Sequence, residues 1–181
     1  EMCIRDRGGT VYRLDPQDLA VKQTINTDLP TFGAAINQKT HTLYFGNTRD
    51  GSLTAVDATS GKVINTLVLD GRQRSETVRP LQPRQLAVDP ATDRVYITGL
   101  GEQSVVWVVD GKTLKLISTV PNTGKMGTGL AIDSAAQKLY VTNSDGELVT
   151  INTRLNAIEK RQKIDGDKDH FFLNISLDTQ G

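Results

Sequence analysis

The 181 residues hold one cysteine, Cys3, and one tryptophan, Trp107. A single cysteine excludes an internal disulfide and any structural zinc site built on cysteines. The two histidines, His41 and His170, stand 129 positions apart, and neither has a second ligand at zinc spacing. Charge of either sign is not in excess: Lys and Arg total 21, Asp and Glu total 21, and the net is zero. No global field therefore draws the chain to nucleic acid or anionic membrane, and a charged partner needs a local patch. Long apolar runs are missing too. The longest, Val105–Val109, is far short of the ~20 residues of a membrane-spanning helix. No nucleophile elbow and no HExxH occur. Gly124-Lys-Met-Gly-Thr-Gly129 has neither the Walker order nor a following helix. No catalytic residue, resident metal or cofactor is read from the sequence.

What is present is repetition. The stretch Gly129–Ile164 reads as four short strands, with Ser144-Asp145-Gly146 as a hairpin turn between the second and third. An Asp-Gly pair between apolar runs marks such a turn because the primed turns need positive φ. Asp133, Asn143 and Asn152 mark the other turn starts, through side-chain bonds to the backbone. Tyr44, Tyr96 and Tyr140 recur in one frame (LYFGN, VYITG, LYVTN), 52 and 44 residues apart. Asp15, Asp57, Asp110 and Asn152 each close a third strand. One position before them stand Leu14, Val56, Val109 and Ile151; four before stand Val11, Leu53, Val106 and Leu148. These two sets point to opposite faces of a strand. Both faces are apolar, as in a sheet sandwiched between two others.

A repeat of roughly 40–50 residues with four strands each is the signature of a β-propeller. The fold class is thus all-β, a propeller of four-stranded blades, and the blades fall at 8–25, 32–69, 85–120, 129–164 and 171–181. Three are full and two partial, the last supplying only a first strand. The reading is an internal segment of a larger propeller, with a closed four-bladed ring as the alternative. Residues 1–7, EMCIRDR, match no part of the repeat and read as a non-native extension, so 8–181 form the single domain. Open blade edges predict instability or self-association of the isolated polypeptide.

The stretches GGTVYRLDP, FGNT, VRPLQPR, WVVDG, NTGKM, TNSDGEL and HFFLNISLD resemble the YncE-like bacterial seven-bladed propellers, within the YVTN/NHL-type repeat group. The resemblance covers Gly8 to the end. It implies a complete chain nearly twice this length, export to the periplasm, and a binding role more readily than catalysis.

In a propeller the first strand of each blade lines the channel, so the connectors that precede it gather at one mouth. Here these are 26–32, 70–84, 121–128 and 165–170. They carry Arg72, Arg74, Arg79, Arg84, Lys125, Lys168 and His170. The 70–84 connector has a net charge of +2 in a neutral chain. Arginine forks suit phosphate or carboxylate, whereas the plain alternative is a solvated loop with arginines paired to nearby acids. The candidate ligand-binding residues are therefore Arg72, Arg74, Arg79, Arg84, Lys125 and His170, and the candidate ligand is an anion, single-stranded DNA among the possibilities. The other readings are a scaffold for an envelope protein and a propeller enzyme of lactonase or quinoprotein type, its site mostly in blades outside this chain. Insertion in a membrane is not expected. Trp107, mid-strand, reads as packing between blades in preference to a stacking platform. Phe171 and Phe172 fit a platform or core packing equally. Asp165, Asp167 and Asp169 have calcium-loop spacing but lack Gly at the sixth position, where His170 sits, and Glu at the twelfth, where Ser176 sits.

Overall fold

The computed structural model describes residues 2–6, 8–164, 166 and 170–178. The turn residues foreseen above divide the chain into antiparallel meanders. The first sheet contains β1 (Met2–Arg5), β2 (Thr10–Leu14) and β3 (Val21–Asn26). The second contains β4 (Thr31–Asn37), β5 (Thr42–Asn47), β6 (Ser52–Asp57) and β7 (Val63–Val68). The third contains β8 (Gln82–Asp89), β9 (Arg94–Leu100), β10 (Val105–Asp110) and β11 (Lys115–Val120). The fourth contains β12 (Gly129–Asp133), β13 (Lys138–Thr142), β14 (Glu147–Asn152) and β15 (Ala157–Lys163). Among the described residues there is no helix long and apolar enough to cross a membrane.

The turns work as their chemistry dictates. The Asp57 carboxylate accepts the Thr59 and Ser60 amides at 3.0 and 2.7 Å, and Asn152 Oδ1 accepts those of Arg154 and Leu155. Each such turn closes on a residue of positive φ: Leu19, Gly61, Leu114 and Asn156 after the third strands, His41, Asp93 and Gln137 after the first. Only one of these seven is the glycine that a left-handed position favours.

The sheets stack face to face as blades. Tyr44, Leu53 and Ala55 of the second pack against Val95, Ile97, Trp107 and Val109 of the third. Tyr96, Val106 and Val108, on the opposite face of the third, pack against Leu139, Val141, Val149 and Ile151 of the fourth. Val11 and Ile25 of the first meet Leu43, Phe45 and Val56 of the second. The third-strand pairs separate as expected: Val56 and Leu53 face different seams, and so do Val109 and Val106. The outermost strands are mostly exposed, β7 and β15 almost throughout.

A polar stitch repeats at the same place in each seam. The carbonyl after the third-strand turn start accepts a hydrogen bond from the preceding blade: Ala58 from Arg13 Nη1, Gly111 from the Tyr44 hydroxyl, Thr153 from Arg94 Nη1. Burial raises the Tyr44 pKa to about 12, with Asp93 adding to the effect.

Three particulars bear on the sequence reading. Residues 2–5 pair with β2, in the position of the strand that precedes the third in each other blade. β8 begins at Gln82, so Arg84 stands on an inner strand and not on the connector. Residues 170–178 form no strand; they lie against the fourth blade, where Phe172 N–H reaches the Asn143 carbonyl at 3.3 Å.

Candidate functional site

Inner strands β4 and β8 both carry a bulge, at Thr31/Ala34 and Pro83/Leu86. The bulged residues Phe32 and Arg84 occupy equivalent repeat positions on neighbouring blades. A bulge re-aims a side chain out of the strand's alternation, and the Arg84 guanidinium sits over the Phe32 ring, 4.4 Å from its centroid. The two strands approach this closely because of Gly33, where a Cβ would lie 1.9 Å from the Arg84 carbonyl oxygen. Arg84 Nη2 donates to Gln82 Oε1 at 3.0 Å, while its buried Nε has no hydrogen-bond partner. Burial pushes the Arg84 pKa down from the usual arginine value. It stays charged, because no protein environment deprotonates a guanidinium.

The connector from β7 to β8 folds back on one carboxylate. Asp70 receives Arg72 through Nε and Nη2, the latter at 2.6 Å, and also accepts the Leu81 amide at 2.6 Å. Burial works to raise the Asp70 pKa. The Arg72 and Leu81 hydrogen bonds outweigh it, and the carboxyl lies below the ordinary range. Closed in this way, the connector and the β9–β10 turn border an open cleft of ≈ 1070 Å³. Leu81, Leu100, Val105, Trp107 and Met126 supply apolar wall, and Arg79 and Arg84 are at its border.

The six sequence candidates thus divide. Arg79 and Arg84 share the cleft. Arg72 borders it too, but its charge is matched by Asp70. Lys125 stands beside it, its Nζ 3.2 Å from Glu102. Arg74 and His170 are exposed and do not line it. Lys168 and the Asp165, Asp167, Asp169 series lie outside the described residues. Among the described residues no three His, Cys, Asp or Glu side chains gather as a metal site would require. Trp107 is 2% exposed and packs over Gly99 within the seam between second and third blades, as its sequence position indicated. Phe171 is 49% exposed.

Sequence reasoning missed the apolar wall and the Phe32–Arg84 stack. Leu81, Val105 and Met126 belong to three different elements, and only the repeat alignment of the bulged positions could have paired Phe32 with Arg84.

Over 177 residues the chain is 58% identical to the YncE protein of Salmonella typhi, an alignment that takes in 97% of this chain and 50% of that protein. To the YncE protein of Escherichia coli strain K12 it is 58% identical over 175 residues, 96% of this chain and 50% of the other. The chain therefore spans about half the length of the curated relatives it matches. No family model matches. Among solved structures, Kuenenia stuttgartiensis hydrazine synthase superposes with a TM-score of 0.76 at 14% identity, covering 90% of this chain and 45% of that one. The WD40 repeats of RRP9 superpose with a TM-score of 0.65 at 12% identity, covering 78% and 41%. At these identities the likeness shows the propeller fold alone.

Proposed function

The chain belongs to the YncE family of β-propellers, and from that premise we propose that it is a non-enzymatic binding module whose ligand is an anion held at the cleft between the second and third blades. Single-stranded DNA is one candidate ligand, and the bacterial periplasm is the compartment that goes with this reading. The observation that carries it is the pair Arg79 and Arg84. They are at the border of one cleft, and among the described residues neither has a carboxylate partner. Three arginines, Arg72, Arg79 and Arg84, line the cleft against two carboxylates, Asp70 and Glu102, in a chain that is neutral overall. An aromatic ring, Phe32, stands next to the guanidinium, and arginines interleaved with aromatics suit single-stranded nucleic acid.

The test is a fluorescence titration of a labelled oligothymidylate at two salt concentrations, with the wild-type chain and with Arg79→Ala/Arg84→Ala. Wild type should bind the more tightly, and its affinity should fall steeply with salt as counterions are released. Equal affinities, or none, would remove single-stranded DNA as the ligand of this cleft.

A further inference from the structure

Resting on the reading of this cleft as an anion site, we infer that the ligand filling its interior is a small organic anion: one oxyanion head on an apolar body. A polynucleotide would then reach only the rim.

The charge arrangement carries the first part. Arg72 is matched by Asp70 and Lys125 by Glu102. Arg79 and Arg84 remain, both among the residues that line the cleft. Two unmatched cations in one cleft suit a single head group, whereas a strand of phosphates is bound along a longer track of them. Arg84 is half-buried with no counter-charge, held in place by Phe32 and Gln82. A desolvated charge without a partner is unfavourable. An arriving oxyanion supplies the missing charge, and the immobilised planar fork is already shaped for it.

The wall carries the second part. Leu81, Leu100, Val105, Trp107 and Met126 form the apolar part of the lining, beside the ion-paired carboxylates of Asp70 and Glu102. Small-molecule sites are mostly apolar with a few placed polar groups, in volumes of roughly 300–1,000 Å³, and ≈ 1070 Å³ lies just above that span. The Trp107 ring is packed over Gly99 and 2% exposed. It offers an apolar edge to an aliphatic body and no face on which a nucleobase could stack.

The same tryptophan makes the test direct, because it is the only one in the chain and lines the cleft. Its fluorescence is to be titrated with octanoate, octyl phosphate, 1-octanol and acetate, and oligothymidylate binding measured in parallel. Saturable changes with octanoate or octyl phosphate are expected, at Kd values about tenfold or more below those of octanol and acetate. The tighter of the two anions identifies the head group. Arg84→Gln should remove that preference while leaving the weak octanol response. Arg79→Ala, on an exposed part of the connector, should weaken it as well, and keeps the test decisive if the Arg84 variant does not fold. Octanol matching octanoate overturns the inference. So does oligothymidylate binding without any response to the alkyl anions, an outcome that leaves the broader anion site standing. Silence from every probe removes both.

Discussion

The connector before the third blade and the connector before the fourth carry the same topological duty and are held in opposite ways. The later one, 121–128, is sewn into its neighbours. Asn143 Nδ2 donates to the Thr123 carbonyl, the Lys125 amide to Asp145, the Ser144 amide to the Lys125 carbonyl and the Gly127 amide to Ser104 Oγ. Arg161 reaches the Asn122 carbonyl as well. The earlier one is longer and is fastened mainly at Asp70, with a local Ser75–Val78 contact of its own. Where the connector is tied to the turns of the blades on either side, its one cation, Lys125, is matched by Glu102 as well. Where it is not, Arg79 and the adjoining Arg84 remain available at the border of a cleft. Basic residues in connectors therefore differ in meaning according to how their loop is anchored.

The largest effect should come from cutting the tight connector. Asn143 is fully buried, and its amide serves Thr123, Glu147 and the Asp145 amide. Asn143→Ala takes the partner from the buried Thr123 carbonyl and from the part-buried Asp145 and Glu147 amides and should destabilise the fold by about 2–4 kcal/mol, read as a fall in the urea midpoint at constant m-value. Cutting the loose connector should do the reverse of this in kind. Asp70→Ala should cost about 1 kcal/mol or less in global stability, since one exposed ion-pair partner and two amides, those of Arg72 and Leu81, at or near the surface are affected. Its stronger mark should be faster amide exchange at Leu81, whose N–H loses its acceptor.

Acid should separate turn starts that titrate from those that do not. The Asp57 carboxyl is held below its ordinary value first by the Ser60 amide, Asp110 by that of Thr113 and Asp15 by that of Gln17. A depressed folded-state pKa gives stability that is present above the unfolded value, near 3.9, and lost as pH falls through the folded value. Tm should thus drop between about pH 4 and pH 2, and Asp57→Asn should flatten its share of that drop. An unchanged profile in the variant would show that this turn contributes nothing to acid sensitivity. The smallest effect belongs to Leu19, 57% exposed at φ 60°. Leu19→Gly relieves the left-handed strain against a larger loss of chain entropy and should raise stability by about 0.5 kcal/mol or less. Gly61 already fills the equivalent place at φ 72°.

The blades and their turns were legible because alternation and Asx side chains are local signals. Leu53 and Val56 could be assigned to opposite faces from spacing alone, and Asp57 could be assigned to its turn from its chemistry. The left-handed Leu19, His41 and Gln137 were not legible, since nothing in those side chains asks for positive φ. Pro80 and Pro83 made the start of β8 look like connector. Pro83 instead enters the strand opposite Gly99, at the bulge, where a missing N–H is tolerated. Of the site, the arginines were visible as charge in a loop. Which of them was already matched depended on Asp70 and Glu102, one beside its partner in sequence and the other on a different turn.

The comparison of the two connectors is tested most directly by oligothymidylate affinity at one fixed ionic strength for three proteins: wild type, Arg79→Ala and Lys125→Ala. Each variant removes one positive charge, so bulk electrostatics changes equally. The account predicts a loss of about tenfold for Arg79→Ala and less than about twofold for Lys125→Ala, whose charge is already answered by Glu102. Equal losses from both would contradict it.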